Sequence, residues 1–270
     1  MLKTRIYTAL VLLPLLVGAL FLLPQMAWAL FLAPLMLVGA WEWGVLAGWR
    51  VPGRIVYLAV IAVGGALLWQ WGVGELQIAQ RVAAAVFACS LIFWVVIAPL
   101  WLRQGWQVRA DWLSGLVGMV LLLPLWLAMV QLQDRPLLLL MVMAIVWISD
   151  TAAYLCGRRW GKHKLAVAIS PGKTWEGVVG AIAAVTAYYL ILQMTGTFQT
   201  AGLTGVVGYF FCVVIVVLGI EGDLFESWIK RTVGVKDSGT IFPGHGGALD
   251  RIDALTSTLP AAALFLSLVK

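Results

Sequence analysis

The chain has 270 residues, of which 63% are hydrophobic and only 11% charged, and its mean hydropathy is +0.99. A soluble domain would carry about 25% charged residues, so an ordinary water-surrounded enzyme is excluded and lipid is the expected solvent. A net charge of +6 and a pI near 9.4 would attract anionic groups, but much of such basicity serves topology in any membrane protein and discriminates little. Three scattered cysteines, Cys89, Cys156 and Cys212, give neither a disulfide framework nor metal-ligand spacing.

The first 29 residues, "MLKTRIYTALVLLPLLVGALFLLPQMAWA", have the basic start, apolar middle and small-residue end of a signal peptide. Everything downstream is equally apolar, so the segment is read as an uncleaved first span. Splitting the remaining apolar runs at charged or Pro/Gly-rich breaks gives approximate spans at 4–23, 26–47, 54–71, 76–101, 110–132, 136–156, 175–194, 203–222 and 250–269, each long enough to cross a hydrocarbon core of about 30 Å. The expected fold is an all-α, polytopic membrane protein with about nine helices and kinks at Pro99 and Pro124. With the N-terminus in the cytoplasm, fifteen of the 18 Lys and Arg residues fall inside and only Arg81, Arg135 and Lys270 outside. That ratio obeys the positive-inside rule. No linker or repeat interrupts the chain, which reads as one membrane domain, 1–270, with two rich cytoplasmic regions at about 147–177 and 221–253.

The first rich region is "WISDTAAYLCGRRWGKHKLAVAISPGKTWEG", Trp147 to Gly177. Asp150 falls near the end of a span, where a carboxylate is expensive and usually functional. Arg158, Arg159, Lys162, His163 and Lys164 come next. Ser170, Lys173 and Thr174 then precede a new helix, and helix-start amides beside a lysine and hydroxyls can cradle a phosphate. This is not a P-loop, because no glycine stands five positions before Gly172. Ser170 or Thr174 can equally be read as a helix cap, with Glu176 at the positive helix end.

The second region begins "GIEGDLFESWIKR". If the helix continues out of the membrane, Asp223, Ser227 and Lys230 share one face, while Glu226 and Lys230 have the spacing of a solvated ion pair. The Gly/Pro-rich loop "KDSGTIFPGHGG" comes after it, with His245 among glycines whose amides are open to a ligand. The last helix opens with Asp250 and Asp253, at i and i+3, and Arg251 points elsewhere. Either aspartate could be only a dipole-matching helix start. Carboxylates at two helix ends can share divalent cations, which also take substrate phosphates. Surrounding lysines and arginines suit a polyphosphate. Neither a Ser–His–Asp spacing nor a zinc motif is present, so phosphoryl or nucleotidyl transfer on a lipid is the expected chemistry.

Ser227, Lys230, Arg231, Lys236, Asp237, Gly239, Pro243, His245, Gly246, Gly247, Asp250, Arg251 and Asp253 match a pattern, S-x-x-K-R, K-D-x-G, P-x-H-G-G-x-x-D-R-x-D, by which the chain resembles the phosphatidate cytidylyltransferases (CDP-diacylglycerol synthases). The upstream "SPGKTWEG" and Glu42-Trp43 are similar to that family too. The resemblance implies CTP + phosphatidate → CDP-diacylglycerol + pyrophosphate at the inner membrane. It implies Mg²⁺ and a second cation, K⁺ being a candidate, held through Asp223 and Asp250. Asp223, Asp250 and Lys173 are then the expected catalytic residues. Asp150, Ser170, Thr174, Ser227, Lys230, Arg231, Lys236, Asp237, His245, Gly246, Gly247, Arg251 and Asp253 are expected to bind substrate. The expected partners are CTP, phosphatidate and membrane lipids, not nucleic acid. Sequence leaves the oligomeric state open, a homodimer being one candidate, and does not assign Glu42.

Two other readings stay open. A CTP-dependent lipid-alcohol kinase would phosphorylate a hydroxyl and need a base to activate it. A transporter could use intramembrane carboxylates such as Glu42 and Asp150, but it would distribute polar residues along several spans, whereas here they gather at one surface.

Overall fold

The computed structural model describes residues 2–269 except 75, 110, 197, 243 and 245, and leaves the side chains of residues 1–9 and 200 undescribed. The fold is almost wholly helical: α1 Leu2–Leu22, α2 Gln25–Leu46, α3 Val51–Gly72, α4 Gln77–Ile92, a π-turn Phe93–Ile97 running into α5 Ala98–Gln104, α6 Trp112–Leu132, α7 Pro136–Trp160, α8 Trp175–Met194, α9 Gly205–Thr232 and α10 Leu249–Leu268. Seven of these rods, counting α4 through α5 as one, are long and apolar enough to cross a membrane among the described residues. This is a polytopic α-helical membrane protein. A two-residue break at Leu23-Pro24 separates α1 from α2, as expected of the residue before a proline.

Two local features depart from a plain helical reading. Between α7 and α8 the chain forms a small antiparallel hairpin, β1 Lys164–Ala166 with β2 Ser170–Thr174, in which Lys164 opposes Thr174 and Ala166 opposes Ser170. Ahead of Pro99 the helix widens into the π-turn, while α6 runs unbroken through Pro124. Proline has no N–H to return to the preceding turn, and a π-turn accommodates that loss. The widening also turns two consecutive residues inward. Phe93 and Trp94 are both buried, and both meet Phe225 of α9 edge-to-face at 5.4 and 5.5 Å.

With lipid outside, helices gain little from hiding apolar surface and must associate through close contact and hydrogen bonds. The chain does this in two ways. Indoles donate to backbone carbonyls across helices: Trp28 to Met129 (3.0 Å), Trp43 to Ser114 (2.8 Å), Trp126 to Ala29 (3.2 Å) and Trp94 to Thr256 (3.1 Å). The first three clamp α2 to α6 at both ends. Elsewhere glycines let backbones touch. A Cβ on Gly177 of α8 would come within 2.8 Å of the Ala153 carbonyl of α7, and one on Gly222 of α9 within 2.7 Å of the Asp253 carbonyl of α10.

The glycine contact at Gly222 brings the cytoplasmic half of α9 against the start of α10. Helix α9 has 28 residues, about 42 Å at 1.5 Å per residue. That exceeds a hydrocarbon core of about 30 Å, so its last turns carry Asp223 to Lys230 toward the boundary.

Replacing Gly177 by Val should overpack the α7–α8 seam and destabilise the fold by about 1–3 kcal/mol. Thermal unfolding of the detergent-solubilised protein will read this as a lower midpoint, with Gly65→Val, which meets open space, as the neutral comparison.

Candidate active site

The two polar regions meet through one lysine. Lys173, on β2, lies 2.7 Å from Asp223 of α9 and donates to the Ile220 carbonyl at 3.2 Å. The hairpin is therefore fixed against α9 rather than free in the loop. Its root is tied down as well. Thr174 caps α8 by accepting from the Gly177 amide (3.1 Å), and the Trp175 amide donates to the His163 carbonyl (2.9 Å). Glu176, in the first turn of α8, accepts from the His163 amide at 3.2 Å and faces its Nδ1 at 2.6 Å.

Around Lys173 the bundle gathers acid. Asp150 of α7, Asp223 of α9 and Asp253 of α10 are close enough for their charges to act on one another, and Lys173 and Arg251 both act on Asp150. Asp223 accepts from Ser227 Oγ at 3.2 Å. Farther along α9 stands a second group. Lys230 Nζ lies 2.5 Å from Glu226 and 2.5 Å from Asp250. Glu226 and Asp250 are only 8% and 9% exposed, and Glu226 Oε1 has no partner among the described residues. A buried carboxylate persists only when paired, so Lys230 sets where Asp250 can stand. Asp250 Oδ2 is further held by the amides of Ser238 (2.9 Å) and Gly247 (2.7 Å).

A third carboxylate completes the arrangement. Glu42 of α2, 5% exposed, accepts from Ser238 Oγ (2.9 Å), the Ala248 amide (3.0 Å) and the Leu249 amide (3.0 Å).

Not every expected site residue joins this cluster. Arg231, Lys236 and Asp237 are exposed on the rim, with Arg231 reaching the Val235 carbonyl at 3.4 Å. Ser170 is half-buried in the hairpin, and Thr174 is committed to its cap. The Gly247 amide, expected to face a ligand, is given to Asp250. Gly246 takes a φ of 83°, which turns the loop back through a bridge with Phe242. His245 lies outside the described residues.

Glu226 was legible in sequence only as a surface ion-pair partner, and Ser238 not at all. The signal for Glu226 was its place on the same helix as Asp223, three residues on. Ser238 occupies a variable position of the pattern, and no spacing rule could connect it to Glu42.

Among the described residues no three His, Cys, Asp or Glu side chains converge as a ready-made metal cage. The charge balance nevertheless favours cations. Among the same residues Glu42, Asp150, Asp223, Glu226, Asp250 and Asp253 are linked in one network that faces Lys173, Lys230 and Arg251. Such an arrangement can accept further positive charge. Its oxygen donors suit Mg²⁺, which uses one or two carboxylates and completes its shell with water and phosphate.

A family model described as the cytidylyltransferase family matches residues 3–269. A phosphatidate cytidylyltransferase of Pseudomonas aeruginosa is 40% identical over 98% of this chain and 97% of its own length. One of Haemophilus influenzae is 33% identical over 98% of each. Another, of Staphylococcus epidermidis, is 44% identical over 47% of this chain and 48% of its own.

Removing Lys230 leaves Glu226 and Asp250 buried against each other. Lys230→Ala should cost about 3–5 kcal/mol, against a change within about 0.5 kcal/mol for the exposed neighbour Arg231→Ala. Comparing the two variants by thermal unfolding and by proteolysis of the loop checks this.

Proposed function

The chain belongs to the cytidylyltransferase family, and from that membership we propose that it is a phosphatidate cytidylyltransferase, transferring CMP from CTP to phosphatidate to give CDP-diacylglycerol and pyrophosphate. The observation that carries the assignment of the site is the contact of Lys173 with Asp223, because it joins the two regions whose residue types suit nucleotidyl transfer. The enzyme sits in the inner membrane with this site facing the cytoplasm, a reading supported by the fifteen-to-three distribution of basic residues.

The reaction asks little of a general base. Phosphatidate is a phosphomonoester, with a second ionisation near pH 6 by analogy with phosphorylated side chains, so its oxygen is already anionic and nucleophilic. That oxygen attacks the α-phosphorus of CTP. A new P–O bond forms, the bond from the α-phosphorus to the bridging oxygen breaks, and pyrophosphate departs with its electron pair. The difficulty is bringing two polyanions together and stabilising the leaving group.

The chain's residues answer this in layers. Lys173, Lys230 and Arg251 offer charge within the cluster, and Arg231 and Lys236 offer it from the exposed rim, where phosphates first approach. Ser170 and Ser227 are candidate donors to phosphate oxygens. Asp223 and Asp250 would hold Mg²⁺, each now facing a lysine ammonium that a metal–triphosphate complex would displace or share. When bound, the ion would neutralise triphosphate oxygens and stabilise the charge developing on pyrophosphate. Asp150 and Asp253 extend the same oxygen-rich wall, and a second, monovalent cation would find its charge requirement met there.

Purified protein supplied with Mg²⁺, phosphatidate and CTP labelled separately in the cytidine and in the γ-phosphate tests the reading. Cytidine label should enter lipid and γ-label should leave as pyrophosphate. Label from the γ-phosphate entering lipid would instead establish a lipid kinase. In the same assay Asp223→Asn should abolish turnover in an inserted, folded protein, and near-normal rates would remove it from the metal assignment. Lys173→Ala should weaken use of CTP by about 1.5–3 kcal/mol, the scale of a charge-assisted contact, read as kcat/KM over a range of CTP concentrations.

A further inference from the structure

Glu42 lies outside both polar regions. It sits on α2, 196 residues before Ser238, in a helix otherwise made mostly of apolar and aromatic side chains. A charge buried there needs a reason. Its contacts account for it. Helix α10 begins at Leu249 with Ala248 before it, and among the described residues no side chain of its own caps it. The first amides of a helix have no partner within the helix. Here the Ala248 and Leu249 amides are met by Glu42 from across the bundle, each at 3.0 Å, and the carboxylate also suits the positive end of the helix.

Glu42 holds the preceding loop as well. Ser238 stands between two carboxylates, its Oγ 2.9 Å from Glu42 and 3.1 Å from Asp250, while its amide donates to Asp250. A hydroxyl has one proton to donate, so the shorter contact goes to Glu42 and the amide serves Asp250. Two glycines of the loop are explained by the same group. A Cβ on Gly247 would come within 2.5 Å of both Glu42 oxygens, and one on Gly239 would overlap Oε1. The loop therefore closes around a carboxylate supplied by a distant helix, and Asp250 is oriented by the residues that carboxylate grips.

We infer that Glu42 is a positioning residue for CMP transfer: through Ser238 and the first turn of α10 it fixes the site of Asp250 without touching the substrates. This role rests on the proposed function and on Asp250 serving in it, and its test includes a measurement that needs no turnover. Hydrogen exchange is followed over residues 236–250 in the full-length protein, in lipid nanodiscs, for the unaltered chain, Glu42→Gln, Ser238→Ala and the double variant. In Glu42→Gln an amide NH₂ faces amides that require an acceptor. Exchange in that segment should quicken at least about ten-fold while α3, α7 and α8 keep their protection, and kcat should fall about 10–100-fold, the range for losing a partner that orients a functional group. Because both residues act along one path, the double variant should be little worse than the poorer single one.

Unchanged exchange in the segment overturns the inference. So do multiplicative losses in the double variant, or full activity in Glu42→Gln. If Glu42→Gln loses protection throughout, Gly239→Ala decides, since it keeps the carboxylate and crowds only the contact between Glu42 and the loop. Loss confined to residues 236–250 with reduced kcat supports the role, and normal kcat rejects it. Absence of CMP transfer in the unaltered protein would remove the proposed function but leave the exchange result to stand on its own.

Discussion

A charge inside an apolar bundle survives only opposite another charge or against a row of hydrogen-bond donors. In this protein that requirement is met three times at one end of the bundle: Asp223 by Lys173, Asp250 and Glu226 by Lys230, and Glu42 by a hydroxyl and two helix-start amides. Apart from the one-turn pair of Lys230 with Glu226, each pairing joins two different elements of the fold. The hairpin is thereby tied to α9, α9 to α10, and α10 to α2. The polar site and the helix contacts are one construction, since the side chains that pair the charges also join the structural elements.

The apolar part of the bundle prepares this. Close approach of α9 and α10 at Gly222 brings Asp223, Lys230 and Asp250 to one end of the bundle, and the indole clamps between α2 and α6 fix the helix that delivers Glu42. Trp94 and Phe225, which pack with Phe93 and Trp101, line a small cavity together with Glu226. Low local dielectric strengthens every pairing in the cluster and makes every unpaired group more costly.

The same economy bears on the chemistry. Among the described residues the network sets six carboxylates against three cationic side chains, and under the proposed function a divalent cation would bring positive charge to it. Phosphate oxygens and carboxylates are both hard ligands that share Mg²⁺ readily. Under the proposed function the lysines paired with Asp223 and Asp250 would exchange those partners for phosphate oxygens while staying in the cluster.

Read alone, the chain establishes the helical membrane class, because periodic apolar length and charge depletion are local properties of sequence. It places most rod ends within a few residues, allows α9 to continue past the span it ends at 222, and offers Asp223, Lys173, Asp250 and Asp253 as candidates from residue type and spacing. Spacing could not reveal the β1–β2 hairpin, whose short strands hold no alternating pattern, nor the π-turn, which depends on what Phe93 and Trp94 pack against. Nor could it assign Glu42, read Glu226 as more than a surface partner, or find Ser238. Those roles belong to the tertiary structure, since a carboxylate's use is decided by the donors around it, and here the donors to Glu42 come from 196 to 207 residues away.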